Sequence, residues 1–208
     1  ENGVLAITDG EFRRSWWHFD FLGGLDGVEY YEKEKGLEFH QMETRKEGIR
    51  IIGEIGFTTH PFVQHFEFLK QHAGEAVVKQ TIPSPNMLIR RVDMNEEVYQ
   101  DKEEFKQDII VAYQNAIQAF YDAGCRYLQL DDTAWADLFS EEGHEKLRAK
   151  GLDPAEELVL MQQMINESIA KKPEDLTVTM HICRGNYKST YFTSGGYDYA
   201  SEVIFGGL

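Results

Sequence analysis

Two hydrophobic periods take turns along this chain, an alternation of two and a helical spacing of three to four. Leu176-Thr-Val-Thr-Met-His-Ile-Cys-Arg-Gly-Asn186 sets Leu176, Val178, Met180 and Ile182 against Thr177, Thr179, His181 and Cys183, which reads as a strand stopping at Arg184-Gly185. Arg126-Tyr-Leu-Gln-Leu-Asp-Asp132 reads as another strand, ending in two adjacent carboxylates. Ala76-Val-Val-Lys-Gln-Thr-Ile-Pro83 is a third, and Pro83-Ser-Pro-Asn-Met87 at its end is a rigid loop, suited to holding a ligand or simply to stopping the strand. Val4-Leu-Ala-Ile-Thr-Asp-Gly-Glu11 and Gly48-Ile-Arg-Ile-Ile-Gly-Glu-Ile-Gly56 bring the expected strands to five.

Helical spacing fills the intervals. One helix starts at His60-Pro61 and runs through Val63, Phe66 and Leu69. A long one, Glu96 to Ala123, carries Phe105, Ile109, Ala112, Ala116, Ala119 and Phe120 on one face, with Gly124 as its stop. A third begins at the N-cap and N1 pair Asp153-Pro154 and reaches about Lys171, with Leu158, Met161, Met164, Ile165 and Ile169 inward. Gly23 to Leu37, rich in Gly, Glu and Lys, reads as a solvated excursion.

Strands alternating with helices imply right-handed crossovers and a parallel sheet, an α/β fold. No GxGxxG or GxxxxGK[ST] signature follows a strand, so a nucleotide-binding doubly wound sheet has little support. Chemistry-bearing side chains at the carboxyl ends of separate strands instead fit a (β/α)8 TIM barrel, seen here as an incomplete barrel, since a whole one needs eight strands and typically ~250 residues. The 208 residues read as a single catalytic domain over 1–208. The chain does not begin with Met and closes on a helical stretch, Tyr197 to Leu208, so the first strand and the last strands are expected to lie outside it.

Hydrophobic residues at 42% and charged residues at 27% are ordinary for a globular protein. No apolar run approaches the ~18 residues of a membrane span, and the amino terminus lacks the features of a signal peptide, so the expected setting is cytoplasmic, away from membranes. A net charge of −15 argues against nucleic acid as a partner. The two cysteines, Cys125 and Cys183, make no disulfide framework and leave a thiol available to metal. A homo-oligomer is compatible with all of this.

Residues i and i+2 of a strand share a face, so His181 and Cys183 point together at its carboxyl end. Imidazole nitrogen and thiolate suit zinc; a buried strand with a satisfied core histidine and an inert thiol would carry the same pair. Asp131 and Asp132 face opposite ways, so at most one points inward while the other orients a loop. Phe12-Arg-Arg-Ser-Trp-Trp-His-Phe-Asp-Phe21 either lines a cleft, with Arg13 or Arg14 neutralising an anionic ligand group, or starts a helix that packs its rings on the core.

Taken in order, Thr8-Asp-Gly-Glu11, Pro83-Ser-Pro-Asn-Met-Leu88, Tyr127-Leu-Gln-Leu-Asp-Asp-Thr133 and His181-Ile-Cys183 resemble the catalytic barrel of cobalamin-independent methionine synthase, above all its short relatives lacking the amino-terminal domain. The resemblance covers essentially the whole chain. It implies a zinc-dependent methyltransferase acting on homocysteine to form methionine, with His181 and Cys183 as two zinc ligands and the family's further Glu and Cys ligands outside this sequence. Glu202 falls in a helix before the expected strand and is not promoted to ligand. Glu11 and Asp131 match the carboxylates that hold the homocysteine amino group, Asp131 being the catalytic assignment. Where the family has Asp-Glu-Pro, this chain has Asp131-Asp132-Thr133. Asp137 lies where the family contacts the folate pterin, and Trp135 offers a stacking face.

The methyl donor implied is 5-methyltetrahydrofolate, although the basic residues wanted by a polyglutamate tail are only the scattered Arg13, Arg14, Arg90 and Arg91. A methylated corrinoid protein or a small S- or N-methyl compound is the alternative donor. A metal-free glycoside hydrolase using Glu11 and Asp131 is the rival enzyme class, and a zinc- or amino-acid-binding protein without turnover is the non-catalytic one.

Overall fold

The computed structural model describes residues 3–36, 38, 39, 42–92 and 94–208. In chain order the elements are β1 (Ala6–Ile7), α1 (Phe19–Leu22), β2 (Asp26–Glu32), β3 (Glu38–Phe39), β4 (Met42–Glu43), β5 (Glu47–Gly56), α2 (Pro61–His72), β6 (Val77–Pro83), α3 (Pro85–Arg91), α4 (Lys102–Asp122), β7 (Tyr127–Asp132), α5 (Glu141–Ala149), α6 (Pro154–Ile169), β8 (Thr177–Ile182) and α7 (Ser201–Gly206). A 3-10 helix, Ala134–Leu138, follows β7.

β1, β6, β7 and β8 form one parallel sheet in that order, confirming the α/β class. Among the described residues this sheet is open, with β1 and β8 at its edges, and no closed barrel is present. The face opposite Thr81, Gln129 and Asp131 carries Ile82, Leu128 and Leu130. They share one buried cluster with Phe62 and Phe66 of α2, Ile109, Ala112, Ala116 and Phe120 of α4, and Met161, Met164 and Ile165 of α6. The inward faces expected of these helices are therefore the faces they bury.

Four expectations need correction. The strand at Gly48–Gly56 is real but lies outside the parallel sheet: β5 pairs antiparallel with β2. Gly23 to Leu37 is accordingly no solvated excursion, because its residues Asp26–Glu32 are the other half of this hairpin; Leu37 itself lies outside the described residues. Its Glu- and Lys-rich composition belongs to the outer face, while Val28, Ile49, Ile51 and Ile55 are buried. The Pro83–Met87 segment is not a loop throughout, since Ser84 is extended and Pro85 opens α3, where its missing N–H costs nothing. The long helix also starts later than Glu96, at the residue after Asp101, whose carboxylate caps the Glu103 amide at 2.9 Å.

Helix ends tie the sheet to its surroundings. The Tyr113 hydroxyl of α4 reaches the carbonyls of Pro83 and Ser84 at 2.9 and 3.0 Å, and the Ser84 amide donates to the Asp131 carbonyl at 2.9 Å. These contacts pin the carboxyl ends of β6 and β7 together. Among the described residues no helix is long and apolar enough to cross a membrane.

His60 caps α2 through its ring. Nδ1 accepts from the Phe62 amide at 3.1 Å while Nε2 faces the Phe21 carbonyl at 2.9 Å, so the proton resides on Nε2 and the ring is neutral. A Cβ on Gly24 would collide with that ring. Burial drives the His60 pKa down to about 4, opposed by the bond to Phe21. The unfolded ring takes its proton near 6.5, so between those values the unfolded state binds more protons and stability falls as pH drops from about 6.5 to 4. His60→Asn, which keeps a capping acceptor, is expected to shrink the stability loss between pH 7 and 5 by on the order of 1–2 kcal/mol. Urea denaturation at the two pH values measures it; an undiminished loss would assign the acid sensitivity elsewhere.

Candidate functional site

The parallel register decides which side chains meet. In the β7–β8 ladder Gln129 is opposite Thr179 and Asp131 opposite His181, and in the β6–β7 ladder Thr81 is opposite Gln129. Paired residues of parallel strands share a face, so Thr81, Gln129, Asp131 and His181 form a polar patch, with Cys183 one step beyond the end of β8. All five line one pocket of about 390 Å³, together with Glu11, Trp16, Trp17, His18, Arg91 and Phe192 among others.

Asp131 is 8% exposed and accepts from Gln129 Nε2 at 2.7 Å. Burial raises its pKa, the Gln129 bond and the His181 charge pull the other way, and Glu11 adds to the rise. Asp132 is fully buried on the opposite face, accepting from Asn86 Nδ2 at 2.8 Å and the Ala134 amide at 2.8 Å. One carboxylate thus faces the pocket and the other orients the loop after β7, as alternation requires.

Glu11 occupies a left-handed backbone conformation, φ 59°, which a non-glycine residue rarely adopts. Thr8-Asp-Gly-Glu holds it there: Gly10 N donates to the Thr8 hydroxyl at 3.2 Å and Glu11 N to Asp9 Oδ1 at 2.9 Å. The Glu11 carboxylate meets Arg14 at 3.1 Å and the Thr81 hydroxyl at 3.2 Å. Arg14 also donates to the Thr81 carbonyl at 2.8 Å and stacks over Phe62, with its side chain 3% exposed. It therefore aims Glu11 and is not the ligand-facing arginine expected. Nor is Arg13, which lies over Phe68, or Arg90, which pairs with Glu157 at 2.8 Å.

At the other end, the Gly185 amide donates to Cys183 Sγ at 3.2 Å. Gly185 has φ 80°, so the turn that aims this N–H at the sulfur favours glycine. Arg184 sits over the rings of Phe139 and Tyr197, fixing the chain just past the sulfur. His181 is exposed and Cys183 half-buried. Among the described residues no group of three or more His, Cys, Asp and Glu side chains is gathered closely enough to hold a metal ion. An imidazole and a thiol on one pocket face, with an amide aimed at the sulfur, are donors of the kind that suit zinc.

Two expected ligand contacts are corrected. Trp135 is completely buried and offers no stacking face, because the 3-10 helix that Asp132 caps turns its ring into the core. Asp137 is half-buried and off the pocket wall, acting on Arg91 by its charge. The aromatic wall comes instead from Trp16 and Trp17, so the Phe12–Phe21 segment both lines a cleft and packs on the core through Phe19 and Phe21. The β2–β5 hairpin braces it: Trp16 Nε1 donates to the Glu47 carboxylate, and Tyr30 donates to the Phe19 carbonyl at 2.5 Å. Thr81 and Gln129 were open to sequence reasoning, being polar residues two positions apart from a strand end; His18 and Arg91 carried no such signal.

No family model matches the chain. It is 54% and 50% identical to the uncharacterized proteins YxjG and YxjH of Bacillus subtilis, over 100% of its own length and 55% of theirs. A candidate vitamin-B12-independent methionine synthase from Listeria monocytogenes superposes with a TM-score of 0.75 at 46% identity, covering 99% of this chain and 54% of that one. The chain thus resembles the B12-independent methionine synthases. A weaker likeness, 24% identity over 187 residues, extends to the methionine synthase of Saccharolobus solfataricus. The B12-independent methionine synthase of Shewanella sp. W3-18-1, solved with selenomethionine, shares the fold at a TM-score of 0.65 and 17% identity. The chain spans about half the length of the relatives it matches.

Because burial holds the Asp131 pKa above its unfolded value, the ionised form costs stability at neutral pH and the cost vanishes below both pKa values. Asp131→Asn is expected to stabilise the protein at pH 7 by about 1 kcal/mol, roughly 2–4 °C in Tm, with the gain disappearing below about pH 3.8. Thermal melts at pH 7 and 3.5 check this; destabilisation at pH 7 would mean that ionised Asp131 supports the fold.

Proposed function

We propose that this chain is the catalytic part of a zinc-dependent methyltransferase that methylates the thiol of homocysteine, giving methionine. One observation carries the reading: Glu11, Asp131, His181 and Cys183 line a single pocket although they lie on elements far apart in sequence. The four-stranded sheet is read as part of a (β/α)8 barrel, with the pocket at the carboxyl ends of its strands.

In this reading His181 and Cys183 are two of the zinc ligands, and the remaining positions are filled from outside the described residues and by the substrate. Bound zinc would supply the Lewis acidity that brings a thiol of pKa ~8.5 to thiolate near neutrality. The chain's own residues do the positioning. Glu11, held by Arg14 and Thr81, and Asp131, held by Gln129, face the substrate ammonium, which needs anionic partners once water is excluded. Trp16, Trp17 and Phe192 exclude that water. The sulfur–methyl bond forms as the donor's bond to the methyl group breaks, the thiol proton having left, with no change of redox state. Holding sulfur and methyl within ~3–3.5 Å in line supplies much of the acceleration.

The donor is 5-methyltetrahydrofolate or another methyl compound, a corrinoid-linked donor being the main alternative. The hydrolase reading leaves the His181 and Cys183 pair without a task.

Zinc content and zinc X-ray absorption of the full-length protein test this, wild type beside Cys183→Ser. About one zinc per chain is expected, weakened or lost in the variant, with a further sulfur neighbour on adding homocysteine to wild type. A protein that holds no zinc, or zinc whose sulfur count ignores homocysteine, would end this reading.

A further inference from the structure

We propose that Arg91 and His18 form a carboxylate-recognition subsite in this pocket, opposite in charge to the Glu11 and Asp131 end. The inference deepens the proposed function and rests on it for the choice of ligand.

Of the four arginines available in sequence to meet an anion, three are accounted for. Arg13 lies over Phe68, Arg14 is tied to Glu11 and Thr81, and Arg90 is paired with Glu157. Arg91, at the end of α3, lines the pocket. It has no ion pair among the described residues, and its Nε is buried without a hydrogen-bond partner. Asp137 and Asp132 act on it from a distance, yet burial outweighs them, so the cation is undercompensated where it stands.

His18 shares that wall. It is 2% exposed, and neither ring nitrogen has a hydrogen-bond partner among the described residues. Its ring is wedged between Trp17 and Phe19, with centroids at 4.6 and 4.1 Å, so it has little room to turn away. Burial and the charge of Arg91 keep it neutral, leaving one N–H donor and one acceptor. A buried polar group normally has a partner, and an unpaired donor costs about 1–3 kcal/mol. A cation and a neutral N–H donor lining one cavity, both unsatisfied, are complementary to a carboxylate.

The pocket is therefore bipolar, with carboxylates at the strand ends and, on the wall, a guanidinium that has no ion pair among the described residues. An α-amino acid zwitterion fits that division, its ammonium on Glu11 and Asp131 and its carboxylate on Arg91 and His18. The glutamate tail of a folate donor carries the same chemical group. The two sources are separable.

The test is calorimetric binding to the full-length protein with two ligand pairs, each differing by the carboxylate. Methionine is set against 3-(methylthio)propylamine, and 5-methyltetrahydrofolate against the same compound with its glutamate carboxylates converted to amides. Arg91→Met should weaken the carboxylate-bearing member of a pair by about 10–100-fold and leave its partner unchanged. Selectivity in the first pair assigns the subsite to the acceptor amino acid, in the second to the donor. Arg91→Lys should recover part of the loss, and His18→Phe, which keeps the ring packing, should reproduce a smaller selective loss should Arg91→Met fold poorly. Equal weakening of both members, or none, overturns the proposal. Binding is read without turnover, so the subsite can stand or fall separately from methyl transfer, which the zinc measurements address.

Discussion

Because β7 and β8 run parallel with Asp131 opposite His181, a carboxylate and an imidazole that lie fifty positions apart in sequence share a face at a common height. A slip of one residue in that ladder would send either to the core side, where Leu128, Leu130 and Ile182 belong. Thr81 and Gln129 stand in the row beneath. The register is held from both sides: Tyr113 clamps the end of β6, and the Ser84 amide bonds the Asp131 carbonyl. Asn86, from the first turn of α3, fixes Asp132 behind the sheet. Sheet order, helix caps and buried hydrogen bonds therefore converge on the placing of one carboxylate.

Around that row the pocket is built by groups whose work is to aim other groups. Arg14 is the clearest case, since an arginine with a side chain 3% exposed and two protein partners has little left for a ligand. Its role is to keep the Glu11 carboxylate oriented despite a strained backbone, which Asp9 and Thr8 secure from below. The β2–β5 hairpin plays a similar part for the aromatic wall, because Glu47 and Tyr30 tie the Trp16–Phe19 segment to it.

The strand alternation was readable in the sequence, and with it the sharing of a face by His181 and Cys183 and the division of labour between Asp131 and Asp132. These follow from local geometry. The helices α2, α4 and α6 were legible for the same reason, whereas α3 was read as a loop and α5 was not anticipated. The hairpin was not, because β2 lies in a Gly-, Glu- and Lys-rich stretch whose charged side chains imitate a loop, and its pairing with β5 is a long-range event. Trp135 was misplaced because a tryptophan after an acidic strand end looks the same in sequence whether the next turn carries it out or in; the cap on Ala134 carries it in. Arg91 could not be singled out from its neighbour Arg90, since which of two adjacent arginines meets Glu157 depends on how α3 packs on α6.

This division between strand-borne and wall-borne groups bears on how such a site diversifies. The strand-end residues Asp131 and His181 are locked by ladder register, so changing them changes the chemistry. The walls belong to short segments, Trp16–Phe19 before α1, the end of α3 and the loop of Gly185, Asn186 and Phe192 after β8. Segments of that kind tolerate substitution while the scaffold stays rigid. A thiol acceptor makes the same demand of any such enzyme: a deprotonated sulfur and a neutralised ammonium. Methyl donors differ in size, charge and shape, so their demands fall on the walls. On the proposed reading, the acceptor's thiol and ammonium would be met largely by strand-end groups, while the walls, where a methyl donor or a substrate carboxylate would rest, belong to the loops and aromatic segments around the sheet.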